Sequence, residues 1–386
     1  MQPSLSKIKE FFPDHHPQVT KTFTLLAYSI VRSRTVCLSK CVSDISSQQK
    51  PGTAKDSSIY TRLIRFFKMS ETGADKFCIG VLLLILSLVG PIAQMTLVVD
   101  RSNWRIGKQN VNVLFIGLLL PCGVYIPLIW QPLSKKGNSK QEERERLLQR
   151  LFKAWPEGAK LKGGVLLADR EFIGIEWFKV LNGKEINFVI RARNGDYRSA
   201  LCEHNKWKES KLSGIIDRKI KRNGFFTAEI ILGGQIYYYH VILNEGKRAE
   251  KGDHWLILIT PEKDVAKASE LYRKRWSIEV FFRHAKTNGF NLEDLNLSTL
   301  PKIQLMVACV AVAYTIAINE GLSIELSKPA KTKRFRNGVV TRAVSIFRVG
   351  YDKIRAKILQ IFDFLDLIQK ILDDNKLTIN NLQKSV

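Results

Sequence analysis

Two acids stand directly after short apolar runs: Asp100 closes TLVVD and Asp169 closes VLLAD. Such runs read as buried strands. A carboxylate at a strand end is held by the sheet while it faces a cleft. One acid in that place reads equally as a helix N-cap. Two in the same context point toward a shared cation, because hard divalent ions prefer carboxylate oxygens. A third acid, Glu279, sits in a stretch of helical periodicity together with Tyr272, Arg275 and Lys286. The steps of three, four and seven residues place all four on one helix face. Spacing alone also fits a salt-bridged surface stripe, since Arg275 and Glu279 make a favourable i, i+4 pair.

The elements that must position these residues follow from pattern. Residues 1–92 read as helical, and within them YTRLIRFFK (60–68) is expected to bury Leu63 and Phe67 and to show Arg62, Arg65 and Lys68 to solvent or phosphates. An ordinary amphipathic surface helix has the same pattern. From residue 95 the texture changes. MTLVVD (95–100), NVLFIGLLL (112–120) and VYIPLIW (124–130), the last two joined by Pro121-Cys122-Gly123, predict an antiparallel meander. A charged helix QEERERLLQRLFKAW follows, with Asn138 or Ser139 as its expected N-cap. GVLLAD (164–169), a helix through Trp177 and Leu181, and the strand INFVIRAR (186–193) complete a mixed α/β sheet. Residues 194–254, with FFTAEIIL and QIYYYHVIL, read as a β-rich insertion, and HWLILIT (254–260) returns to the sheet. One long helix is expected from about Val265 to Thr287, and residues 300–370 are mostly helical, interrupted by a basic loop, KPAKTKRFRNG (328–338).

Composition narrows the class of partner. Of 386 residues, 61 are basic and 36 acidic, a net charge of +25. An excess of that size is offset by a polyanion or tolerated as self-repulsion, and nucleic acid is the usual polyanion. Apolar residues make up 45% of the chain, enough for a sizeable core. The six cysteines form no C-x-x-C pair and have no His cluster beside them, which argues against a zinc site and for a reducing compartment. The start MQPSLSKIKEFF lacks the basic-then-apolar pattern of a signal peptide, so a cytoplasmic location is expected. Two uncharged runs, Phe77–Val99 and Val111–Leu133, are long enough to cross a bilayer. Gly90 and Pro91 interrupt the first, with polar Ser87, Gln94 and Thr96; Pro121, Pro127 and Pro132 interrupt the second. Buried core elements are therefore expected there rather than membrane spans.

The helix LYRKRWSIEVFFRHAKTNG (271–289) resembles the Y-x2-R-x3-E-x6-K motif of bacterial insertion-sequence transposases of the family-four type, with Tyr272, Arg275, Glu279 and Lys286 in its spacing. VVDRSNWRIGKQNVNVL (98–114) and LLADREFIGIEWF (166–178) are similar to the segments around that family's first and second catalytic Asp, and IPLIWQPLSKKGNS (126–139) to the link between them. Residues 95–290 carry the resemblance. It implies an RNase H-like catalytic core over 93–193 and 255–299, interrupted by the β-rich insertion 194–254. It also implies a helical DNA-binding region over 1–92, without a diagnostic helix-turn-helix, and a helical C-terminal region over 300–386. It further implies a triad of Asp100, Asp169 and Glu279 holding two Mg2+ or Mn2+ ions, DNA as partner both at the inverted-repeat ends and as target, a homodimer that joins two ends, and a nucleoid-associated protein.

Strand transfer is phosphoryl transfer, so catalysis rests on positioning and cations. Two ions roughly 4 Å apart can activate the nucleophile and stabilise the leaving oxygen. Three close carboxylates resist ionising together, which couples the triad to metal. Arg275, Lys286 and Tyr272 are the expected phosphate contacts at the transposon end. Arg101 and Arg170, each next to a candidate Asp, form a second layer of DNA contacts or structural ion pairs. Trp255 is either a stacking platform for a flipped base in a hairpin route or a core tryptophan. Three competing readings are another RNase H-like nuclease, a transposase-derived DNA-binding protein without catalysis, and a membrane protein.

Overall fold

A computed structural model of the chain describes residues 3–47, 55–90, 92, 95–155, 163–244, 254–328, 331–335, 338 and 340–374. Pro91, Gln94 and parts of the basic stretch and of the segment 194–254, on which expectations were placed, lie outside them.

The sheet begins with three antiparallel strands, β1 (Thr96–Ile106), β2 (Gln109–Leu119) and β3 (Tyr125–Leu133). The run Val111–Leu133 is therefore two strands and a turn. Its unbroken apolarity follows from burial on both faces, since nine consecutive residues from Val111 are buried. After α6 (Gln141–Ala154), β4 (Val165–Ala168) pairs in parallel with β1. The helix α7 (Ile175–Gly183) then leads to β5 (Asn187–Ala192), parallel to β4. The order β3-β2-β1-β4-β5 continues through β8 (Trp255–Thr260), β7 (Gln235–Leu243) and β6 (Phe225–Leu232) into one eight-stranded mixed sheet.

The segment 194–254 differs in part from a β-rich insertion. It opens with two helices, α8 (Arg198–Asn205) and α9 (Glu209–Asn223). The hairpin of β6 (Phe225–Leu232) and β7 (Gln235–Leu243) follows and joins the main sheet through β8 (Trp255–Thr260). Leu212, Ile216 and Ile220 give α9 a buried helical stripe among its lysines, a 3.6-residue period hidden by the high charge.

Helices cover the sheet. The N-terminal five are α1 (Pro3–Glu10), α2 (Pro17–Ser33), α3 (Leu38–Ser46), α4 (Asp56–Phe66) and α5 (Glu71–Val89). On α4, Leu63 is buried and Arg65 exposed, and Phe67 just beyond it is buried, as its pattern requires. The expected single helix over 265–287 is two: α10 (Val265–Lys274) and α11 (Ser277–Lys286). At the break the amides of Arg275, Trp276, Ile278 and Glu279 each bond three residues back, a tight 3₁₀-type turn. The core helix α12 (Leu300–Ser327) packs on α2, α5, β3 and α13 (Ile346–Lys357), and α14 (Ile361–Asp374) follows. Between α12 and α13 the basic loop is a small ribbon, β9 (Thr332–Arg334) with β10 (Val340–Arg342).

The terminal regions pack on each other: Tyr28 Oη donates to the Leu359 carbonyl at 2.9 Å, and Ser4 to Asp366. Among the described residues, α5 and α12 are long and apolar enough to cross a membrane; 56% and 89% of their most apolar windows are buried inside the fold. The Val111–Leu133 run supplies no such helix.

A candidate active site of three acids around one arginine

Asp100 is not at the end of its strand. β1 runs on to Ile106, paired with β2 throughout, and it is the pairing with β4 that stops, at Val99 and Ala168. The next step of that parallel register sets Asp100 beside Asp169, at the edge where β4 gives way to a 3₁₀ turn over Arg170–Phe172. Asp169 caps that turn, accepting from the Arg170 amide at 2.8 Å, while Asp100 accepts from the Arg101 amide at 2.7 Å. The cap and the cleft-facing acid are thus one and the same residue at Asp169.

The break between α10 and α11 turns the third element into this edge. Arg275, 3% exposed, lies between the acids: one guanidinium nitrogen donates to Asp100 Oδ2 at 2.7 Å and another to Glu279 Oε1 at 2.8 Å. Tyr272, also buried, donates its hydroxyl to Asp169 Oδ1 at 3.3 Å. Arg275 and Tyr272 therefore do not face outward as phosphate contacts. The tight turn and the depth of the cleft aim them at the acids instead, which spacing on one straight helix does not anticipate. Lys286 is also engaged: its ammonium donates to the Asn103 carbonyl and lies 5.7 Å from the Trp104 ring centroid, tying the end of α11 to β1.

Burial raises the Asp100 carboxyl from 3.8 to about 6, against the pull of Arg275 and the Arg101 amide. At Asp169 burial acts in the same sense, but Arg275, the Arg170 amide and Arg191 outweigh it and hold the carboxyl low. Burial by itself would weaken the charge on Arg275; Tyr272, Asp100, Asp169 and Glu279 reverse that and hold its proton more firmly than usual. Among the described residues no group of three or more His, Cys, Asp or Glu side chains stands close enough to hold a metal ion jointly. The Arg275 guanidinium stands between Asp100 and Glu279 and supplies positive charge there. The donors themselves are hard oxygens, the chemistry that Mg2+ or Mn2+ selects. The residues fit such an ion if Arg275 gives up its contacts.

Arg101 takes the ion-pair alternative. It bonds both carboxylate oxygens of Glu171 at 2.9 Å and reaches Asn103, Asn112 and Asn138. Glu171 also accepts from the Ser139 amide and hydroxyl, both at 2.8 Å, and Arg144 bonds Ser139 and the Glu171 carbonyl. Ser139 is thus engaged with Glu171, and the N-cap of α6 is Lys140, whose amide bonds Glu143 Oε2 at 2.6 Å. This network, which sequence reasoning missed, ties the residue after Asp100 to the residue two places after Asp169. Its signal was the acid two places after Asp169 in DREF. Glu171→Ala is expected to cost about 3 kcal/mol by leaving Arg101 unpaired in a half-closed site. Urea denaturation measures it, and a loss within error of zero would mean that solvent replaces the carboxylate.

Arg170 is exposed at the rim. Trp255 opens β8 and is partly buried. Since β8 runs antiparallel to β5, its first residues lie at the same sheet edge as Asp169, two strands along. A groove of about 340 Å3 runs along this edge, lined by Leu243, Leu256, Tyr272, Arg275 and Trp276. Trp276 is 46% exposed and was not singled out, because its place in the helix break is invisible to a helical wheel.

With the sheet order and the acids in place, the chain falls in the RNase H-like class of mixed α/β domains. Residues 126–316, just under half of the chain, match the family described as Transposase DDE domain. Asp169 and Glu279 lie inside the matched segment and Asp100 before it. No curated protein matches the chain.

Proposed function

We propose that the chain is a DNA transposase that cleaves and joins strands at the inverted-repeat ends of an insertion sequence, of the cut-and-paste, family-four type. The observation that supports this most is the convergence of Asp100, Asp169 and Glu279, from three separate segments, on one sheet edge around Arg275. Such a cluster is unfavourable for stability alone and suits phosphoryl transfer. Asp100, Asp169 and Glu279 would hold two divalent ions. When bound, the ions supply charge neutralisation at the phosphate oxygens. Tyr272 orients Asp169, and Arg275 supplies the positive charge between Asp100 and Glu279 until they are engaged. Arg170 at the rim and Trp255 along the edge are the DNA contacts in this reading, with Trp255 stacking on a displaced base. Residues 1–92 serve end recognition, and a homodimer brings two ends together.

Strand cleavage on DNA carrying the element's own ends, with Mg2+ or Mn2+, tests the reading. Glu279→Gln should bind those ends as the wild type does and lose about a hundred- to a thousandfold in cleavage rate, the range typical for removal of a group that stabilises transition-state charge. Equal cutting by both proteins would remove Glu279 from the site. Binding without cutting by the wild type would favour the second reading, a DNA-binding descendant, for which the Arg275 bridge across the acids is the supporting observation.

A further inference from the structure

The stretch 328–342 carries six cations and no acid. Its ribbon stands apart from the main sheet as a two-stranded unit, and all six strand residues are exposed. A hairpin of this size is marginal in water, and this one has no buried face. It is tethered at its base, where Arg342 bonds Glu325 at 2.6 Å and the Ala343 amide bonds the Lys331 carbonyl at 2.8 Å. Gly338, at φ +81°, donates its amide to the Phe335 carbonyl. Lys331, Lys333 and Arg334 are exposed, and alternation sends Lys333 and Arg334 to opposite faces. Phe335 and Val340 are about half exposed beside them, with the Lys333 ammonium 5.5 Å from the Phe335 ring centroid.

Like charges concentrated on an unsupported hairpin destabilise it unless a polyanion offsets them. Cations on both faces match a partner with phosphates on two sides, as the walls of a major groove about 12 Å wide present them. The ribbon's place agrees. Thr341 and Arg342 line a cavity of about 840 Å3 with Ser277, Val280 and His284 of α11 and with Tyr125 of β3. Tyr125 pairs with Leu119, and Asp100 with Phe115, on the same strand β2. Phe115 and Leu119 are four residue steps apart on β2, roughly 13 Å, on the order of four base-pair steps.

We propose that the β9–β10 ribbon is a sequence-independent grip on the backbone of duplex DNA flanking the acidic site. The inference rests on the DNA-processing reading above for its partner, but not on catalysis. The test uses the full chain with Lys331, Lys333 and Arg334 changed to Gln, Arg342 being kept for its tether. Binding to a fluorescent duplex of random sequence is measured by anisotropy in EDTA, from about 50 to about 200 mM salt. The slope of log affinity against log salt should fall by about 2 to 3, and affinity at the lowest salt by tenfold or more. An unchanged slope and affinity would overturn the proposal, as would equal displacement of the wild type by polyglutamate and by unlabelled duplex. A second variant, with the same residues changed to Glu, guards against a misfolded first one: with an unchanged melting temperature it should weaken binding further. If the wild type never cleaves DNA but the ribbon variants lose their salt slope, the ribbon stands and the catalytic reading falls.

Discussion

Arg275→Met is expected to destabilise the protein by about 3–5 kcal/mol in metal-free buffer, the usual consequence of removing one partner from a buried ion pair. The guanidinium is almost wholly buried and bonds both Asp100 and Glu279, with Asp169 close enough to feel its charge. Met keeps most of the volume, so the loss would be electrostatic. Three carboxylates would then face one another with no cation, and at neutral pH Asp100, already raised to about 6 by burial, is the one to take up a proton. Millimolar Mg2+ should return part of the lost stability in this variant and much less in the wild type, where the ion competes with the arginine. Urea titrations with EDTA or Mg2+ measure both effects. A variant as stable as the wild type in EDTA would mean that the acids do not need the guanidinium. A stability gain from Mg2+ no larger than that of the wild type would count against the acids as an ion site.

The second large effect is far from the acids. α12 and α13 cross with backbone against backbone: a Cβ on Gly350 would overlap the Ala317 carbonyl and the Gly321 amide, and a Cβ on Gly321 would overlap the Ile346 carbonyl. Neither obstacle is the end of a flexible side chain, so the helices must part. Gly350→Ala is expected to cost about 3 kcal/mol, at the upper end for overpacking. It should loosen α13, whose Phe347 stacks on Tyr314 and His284. Hydrogen exchange along 346–357 should rise in the variant. Gly174→Ala, where a Cβ meets nothing within 4 Å, is the control and should change little. Equal stability of both variants would show that the helices can slide apart freely.

Much of the site could be read from local sequence. The meander and the two acids follow from apolar runs and their ends, and the spacing of Tyr272, Arg275 and Glu279 already grouped them. What spacing could not supply was direction. A helical wheel assumes a straight helix, and the four i→i−3 bonds between Tyr272 and Glu279 break it, so Arg275 faces inward. Asp100 looked like a strand end because the apolar run stops there. The strand continues through polar Arg101, Ser102 and Asn103 because β2 still pairs with it. α9 was hidden because its apolar stripe is thin among charges, and the Glu171 network because its members are scattered over 101–171.

The hydrogen bond from Tyr28 to the Leu359 carbonyl spans 331 positions of chain, and α2 also rests on α12 and α13. During synthesis at about 5–20 residues per second, the first helices wait on the order of tens of seconds for the surfaces that cover them. Tyr28, enclosed in the finished molecule with its ring against Phe364, lacks that cover for the interval. Maturation is therefore expected to be limited by docking of the last helices onto the first.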